Sequence, residues 1–341
     1  MRVNDIYIAG IGTSEPDYVD TAVAVEKGWY SAEDRERSGL LSISIAGTTP
    51  APDLAIEAAR FAVEQSGHAP EEICALFHTN VHPQGPDGWS AQHYINRNTI
   101  NQPVTSVEIR NGCIGFFSNL HLAACYLDAR PDRIAALLTC ADNFGTPSVN
   151  RWNASSLFVL ADGGGGVVLS KRRGFAKVLS TEFASNPELE LHHRGGEKIF
   201  PPGMTVGGTL NFDARMAYVR EQAADSGAPP MTDFGSVVIE AAEGALSEAG
   251  VTLDDISKVV HDGFARWALT DIFLDPLGIE EKRGIWEFTR RLGHAGPLDQ
   301  IRGLEYVWRN REVDVGEKVL LVSGAPGMEA ACAVVEITEL P

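Results

Sequence analysis

Apolar positions along the chain follow two alternating rhythms. Short, nearly continuous apolar runs (DIYIAGIG, ICALFHT, IAALLTCAD, SLFVLADG, KVLLVS) predict strands covered on both faces. Between them, LAIEAARFAVEQSG, SNLHLAACYLDA, SVVIEAAEGALSEAG and DQIRGLEYVWRN repeat their apolar residues every three or four positions and predict helices. Strand and helix in alternation predict an α/β protein with largely buried strands.

The same rhythm occurs twice. A shift of 183 residues lays Ile56, Glu57, Ala58, Ala59, Ala62, Gly67, Ile73 and His78 on identical residues at 239–261, eight matches in 23 positions. Gly67 and Gly250 each stand where a helix stops and a strand follows, as C-cap glycines do. A shift of 181 carries the match into the next unit, where Gly112-Cys113-x-Gly115 falls on Gly293-His294-x-Gly296. Two halves packed about a pseudo-two-fold axis would bring Cys113 and His294 together. The boundary between the halves lies near Leu169–Gly174, which divides the chain into 1–172, carrying the cysteine, and 173–341, carrying the histidines. Residues 184–234 form an insertion expected to line or cover the acceptor side of a site.

Composition narrows the function classes. With 341 residues, 44% of them hydrophobic, the chain can bury one large core or two ordinary ones. A net charge of -18 disfavours nucleic acid as a partner, because phosphate contacts need a basic face. There is no apolar run of membrane-spanning length and no signal-peptide pattern at the start, so the expected location is the cytoplasm, with no membrane partner. Five cysteines with no CxxC pair suggest neither a disulfide framework nor a metal site.

One cysteine stands apart. Cys74, Cys125, Cys140 and Cys332 lie in apolar strands or helices and read as small buried hydrophobes. Cys113 sits between two glycines at a predicted helix start, where unpaired N–H groups and the helix dipole favour a thiolate and glycine lets a substrate approach. With His294 as base, this is the nucleophile–base arrangement of covalent acyl transfer. Asp299, five residues on, either caps the next helix or orients His294 as the third member of a triad. His261, at a strand end, is expected on the same face, where it would assist the oxyanion. The amides of SGAPGMEA, Gly327 among them, could complete an oxyanion hole with the N–H of Cys113. ADGGGGVVLS lacks the Gly-Lys-Ser/Thr of a phosphate loop, and AGIGTSE has Glu15 where a dinucleotide fingerprint has its third glycine.

Together these segments resemble the thiolase-fold condensing enzymes, especially the ketoacyl synthase III branch. NGCIGF is similar to that family's nucleophile motif, LFVLADGGGGVVL to its strand-plus-DGAGA signature, VVHDGFARW to its histidine segment, and SGAPGMEA to the GFGPG loop of chalcone synthases. The resemblance implies a five-layered αβαβα fold built from two pseudo-symmetric halves, a homodimer, and an acyl thioester on Cys113. It implies no cofactor, only an acyl thioester of phosphopantetheine as substrate, held by an acyl carrier protein or by coenzyme A.

The departures shape the expected chemistry. Where the family has asparagine in HGNTSAA, this chain has His294 in LGHAGPLD, which puts decarboxylation of an extender in doubt and suits deprotonation of a hydroxyl. In this the chain resembles the ketoacyl synthase III-like acyltransferases of antibiotic pathways, which move an acyl or aryl group to a small-molecule alcohol or amine, or to another carrier protein. A decarboxylating 3-oxoacyl-[acyl-carrier-protein] synthase III, with Cys113, His261 and His294 acting together, and a catalytically silent ketosynthase partner remain alternatives. The family's coenzyme A-stacking tryptophan falls on Glu33, which tilts the donor towards a carrier protein, and Arg37 and Arg266 fall on positions that dock the thioester arm.

Overall fold

The computed structural model describes residues 1–226, 234–325 and 328–341. Its main sheet has nine strands: β1 (Arg2–Ser14), β4 (Ile73–Thr79), β5 (Thr105–Ile109), β6 (Ala135–Asp142), β7 (Gly163–Ser170), β8 (Ala176–Ser185), β9 (Ile256–Val260), β10 (Lys318–Ala325) and β11 (Glu329–Ile337). A hairpin-like pair, β2 (Asp17–Asp20) and β3 (Ser42–Ile45), stands apart from it. The order β5-β4-β6-β7-β1-β8-β11-β10-β9 contains the predicted repeat. From β1 outward, β7, β6 and β4 pair antiparallel, antiparallel and parallel, and from β8 outward, β11, β10 and β9 do the same. The thirteen-residue β1 pairs β7 through its second half and β8 through its first, so one strand joins the two half-sheets.

Four helices complete the layers. The Ala51–Ser66 helix covers β1, β6 and β7 from outside, and the Phe234–Ala249 helix covers β8 and β11 likewise. Gly67 and Gly250 adopt the positive φ that stops both helices. The Gly115–Asp128 and Leu298–Arg309 helices each touch strands of both halves and also each other, which makes them the middle layer. Because both faces of Leu298–Arg309 are covered, even Asp299, Gln300 and Arg302 in it are buried.

The strand expected over SLFVLADG begins only at Gly163; residues before it run as an irregular segment with a single bridge, Leu160 to His294. The glycine run itself is the strand. A Cβ on Gly164 would lie 2.3 Å from the backbone of Leu54, and one on Gly166 would lie 2.6 Å from Cα of Ala59. On the opposite face, a Cβ on Gly165 would lie 2.7 Å from Leu298 and one on Gly163 2.3 Å from Arg302. The four glycines thus admit an outer helix and a middle helix at close range, a packing role that needs no nucleotide. Two cysteine expectations also change. Cys140 and Cys332 are buried in strands, but Cys74 is half-buried and Cys125 is exposed on the Gly115–Asp128 helix, near the N-terminal Met1. Among the described residues no helix is long and apolar enough to cross a membrane.

Because Gly164 faces unyielding backbone and Gly165 only side-chain ends, Gly164→Ala should destabilise the fold by about 1–3 kcal/mol and Gly165→Ala by less. Urea midpoints of the two variants check this; equal losses would contradict the close-approach explanation.

Candidate active site

Cys113 and His294 sit on two tight turns, one from each half. Cys113 lies in the turn Gly112–Ile114 that leads into the Gly115–Asp128 helix, and Gly112 there has φ +52°. Gly115 is required by contact, since a Cβ there would sit 2.1 Å from Oγ1 of Thr79. His294 lies in the turn before the Leu298–Arg309 helix, after Gly293 with φ +76°. Its own backbone is pinned: its N–H donates to Val159 O at 2.9 Å and its carbonyl accepts from Ala161 N at 2.8 Å. The Phe158 and Phe264 rings flank the imidazole, with centroids 4.8 and 4.9 Å away.

These turns bring the pseudo-symmetry mates into contact. Sγ of Cys113 lies 2.9 Å from Nε2 of His294, and Nδ1 of His294 lies 2.6 Å from Oδ2 of Asp299. Asp299 does not cap the helix, which has Pro297 in that place; it stands in the first turn with its carboxylate facing inward. That carboxylate also accepts from Gly263 N at 2.7 Å and Ala295 N at 2.9 Å. Three donors on one buried carboxylate hold it ionised and fixed. The resulting thiol–imidazole–carboxylate chain is buried at every member.

The charge balance follows from that burial. For Cys113, desolvation pushes the thiol pKa up, and the neighbouring His294 pulls against it. For His294, burial disfavours the imidazolium, but the thiolate of Cys113 and the carboxylate of Asp299 together raise its pKa well above the ordinary value. A proton leaving the sulfur therefore has a prepared acceptor 2.9 Å away.

The other expected residues fall elsewhere. His261 is buried with both ring nitrogens spent on backbone: Nδ1 donates to Asp262 O at 2.9 Å and Nε2 accepts from Ile285 N at 3.1 Å. Desolvation lowers its pKa to about 4, so it is neutral at physiological pH. The expected oxyanion contact has no free nitrogen to make it. Gly327 lies outside the described residues. Arg37 and Arg266 stand on neighbouring short helices, Ala32–Ser38 and Arg266–Leu269, both at the surface. Arg266 is paired through two bonds to Glu281, and Arg37 pairs with Asp34 while lying 5.7 Å over the Trp267 ring.

Sequence reasoning passed over Asp262. Its carboxylate groups with His294 and Asp299, their ligand-type atoms lying within 4.8 Å of one another. Those atoms already have protein partners: Asp262 accepts from Gln300, Ser323 and Gly324, while His294 is shared between Cys113 and Asp299. A cation would have to displace this network. Desolvation raises Asp262 to about 7, with the Asp299 charge adding to the rise and His294 opposing it.

Two cavities flank the triad. One of ≈ 350 Å³ contains Cys113, Gly112 and His294 together with Asn80, Phe144 and Leu210. The other, of ≈ 220 Å³, lies among His192, Met216, Phe234, Phe264 and Ile272. Phe158 and Phe212 line both. His193, Leu210 and Phe212 on the first cavity, and His192, Phe212 and Met216 on the second, all come from the insertion 184–234.

Comparison with known proteins agrees with this fold. The family model described as 3-oxoacyl-[acyl-carrier-protein (ACP)] synthase III matches residues 107–187, and that of its C-terminal part matches residues 246–337. Among solved structures the chain is similar to ChlB3, described as an acyltransferase, at 40% identity and TM-score 0.93 over 99% of both chains. It is also similar to 3-oxoacyl-[acyl-carrier-protein] synthase III from Aquifex aeolicus VF5, at 18% identity and TM-score 0.78 over 97% of this chain and 99% of that one. OleA of Xanthomonas campestris shares the fold at 16% identity and TM-score 0.78, over 98% of both chains. No curated protein matches the chain.

If Asp299 tunes and orients His294, Asp299→Asn should slow transfer to an acceptor alcohol by about 10² and loading of Cys113 by much less, because a thiol gives up its proton far more readily than an alcohol. Loss of the carboxylate also removes a group that raises the His294 pKa. The imidazole then sheds its proton at lower pH, so the rising limb of the transfer rate should move to lower pH while its plateau falls. Single-turnover mass measurements across pH check both; an unchanged midpoint would reduce Asp299 to a structural role.

Proposed function

Since the chain belongs to the 3-oxoacyl-[acyl-carrier-protein] synthase III family and has its thiolase fold, we propose that it is a ping-pong acyltransferase of natural-product biosynthesis, moving an acyl or aryl group from a carrier-protein or coenzyme A thioester through Cys113 onto a hydroxyl or amine acceptor or another carrier protein. The observation that carries this reading is His294 hydrogen-bonded at once to Cys113 and to Asp299. In the first half-reaction Sγ of Cys113 gives its proton to Nε2 of His294 and attacks the thioester carbonyl. The tetrahedral adduct collapses, the donor thiolate leaves, and it takes the proton back from the imidazolium. In the second, the acceptor O–H or N–H gives its proton to the same nitrogen and attacks the acyl carbonyl. The thiolate of Cys113 leaves and is reprotonated.

The charge logic supports two uses of one histidine. The Cys113 thiolate is the first of the groups that raise the His294 pKa. Acylation removes that charge, so His294 becomes a neutral base more readily once Cys113 is loaded. Decarboxylation of an extender would need donors for the enolate, and His261 has none to offer, since its Nδ1–H is given to Asp262 O. This commitment favours transfer over carbon–carbon bond formation. An assembled triad likewise favours an active enzyme over a silent partner.

Three further features bear on partners. The exposed Arg37 and Arg266 could take the phosphate of a phosphopantetheine arm only by exchanging their present partners, Asp34 and Glu281, for it. Strands β5 and β9 are the two ends of the main sheet, and a second copy pairing along one of these edges would continue it in a homodimer. ChlB3, at 40% identity, is described as an acyltransferase.

With malonyl thioester as the only extender, the acylated enzyme should release no carbon dioxide and form no ketoacyl product, measured by headspace carbon dioxide and product mass. Decarboxylation at a rate comparable with acylation would replace this reading with the condensing one.

A further inference from the structure

We propose that Asn80 selects the acyl group, donating a hydrogen bond from Nδ2 to an oxygen-bearing substituent on the group held at Cys113. This rests on the acyl-enzyme reading above. Asn80 directly follows β4, is 1% exposed, and lines the same cavity as Cys113 and His294. Its Nδ2 has no hydrogen-bond partner among the described residues. A buried amide N–H left without an acceptor costs free energy, so such a group is retained where a ligand completes it.

The turn that carries Asn80 is held from two sides. Asp142 accepts from Val81 N through both carboxylate oxygens, at 3.0 Å each, and from His82 N at 2.7 Å. Arg110 donates to Val81 O at 2.6 Å. Neither anchor uses the Asn80 side chain, so the turn is fixed while the buried amide nitrogen is left without a protein acceptor. Apolar side chains make up much of the cavity wall around it (Val81, Phe144, Phe158, Leu160, Leu210 and Phe212), with Arg110 and His193 as the other polar members beside Cys113 and His294. A fixed donor in a largely apolar chamber discriminates by chemistry as well as by size, and the Asn80 variants separate its share from that of Arg110 and His193. A hydroxyl, ether or keto oxygen on the acyl group pairs it. A plain hydrocarbon group fills the same space and leaves the N–H unpaired. The substrate class assigned is therefore an oxygenated acyl group, carrying an acceptor away from the thioester carbonyl.

The test uses N-acetylcysteamine thioesters in matched sets, benzoyl against its hydroxy and methoxy isomers and pentanoyl against its hydroxy isomers, with loading of Cys113 followed by intact mass. In the wild-type protein at least one oxygenated member should load about 10-fold or more faster than its hydrocarbon parent. In Asn80→Leu that preference should collapse to within about 2-fold, with the parent loading at least as fast as before. Should Asn80→Leu fail to fold, Asn80→Asp serves: its carboxylate accepts and does not donate, so it should keep any preference for hydroxyl and lose that for methoxy. No preference in the wild type, a preference that survives Asn80→Leu, or a methoxy preference that survives Asn80→Asp overturns the assignment. Failure of every thioester to load, hydrocarbon parents included, would instead strike the acyl-enzyme reading itself.

Discussion

The contact between Cys113 and His294 is the constraint on which the rest of this structure depends. Two groups 181 residues apart must meet at 2.9 Å, out of water, with a carboxylate behind the imidazole. Neither half can build that alone. Each supplies one turn at the start of a middle-layer helix, and the axis relating the halves places the turns face to face. Burial makes the contact matter chemically, because an acid and a base that would interact weakly in water become strongly coupled where solvent is excluded.

Much of the surrounding architecture serves that meeting. The glycines of β7 let one helix close in from outside and another from the middle layer, which fixes the depth at which Asp299 lies. The Val159–Ala161 segment clamps the His294 backbone, and Gly263 approaches so closely that a Cβ there would lie 2.3 Å from Gly293 O. The same Gly263 donates its N–H to Asp299. A hydrogen-bonded carboxylate, a pinned imidazole and two flanking phenyl rings leave the triad little freedom. Such preorganisation is what makes proton transfer in a buried site efficient.

The pairing of Cys113 with His294 was legible because the repeat preserved glycines around both, and those glycines mark the positive-φ turns that create the contact. Asp299 was legible by spacing. His261 was only half legible: the sequence places it at a strand end, but which way its nitrogens point depends on Ile285 and Asp262 backbone groups that no local pattern reports. The start of β7 was misplaced for a related reason. Apolar SLFVLAD looks more strand-like than GGGG, yet tertiary packing selected the glycines because helices crowd both faces. Asn80 carries no motif, and its unpaired nitrogen exists only once Asp142 and Arg110 have fixed the turn around it. Cys125 looked like a core residue because its helix is apolar, yet it is exposed, with its Sγ 3.6 Å from Sδ of Met1.

The central claim is that one acyl group passes through Cys113 under the control of His294. Its most direct test is a chase: load the protein from a radiolabelled acyl thioester, map the adduct by peptide mass, remove the donor, then add an acceptor alcohol or amine. The account predicts an adduct on Cys113 alone, lost at the rate at which labelled product appears, and retained when His294→Ala protein carrying the same adduct meets the same acceptor. An adduct on any other residue, or equal discharge from the wild-type and His294→Ala proteins, would contradict it.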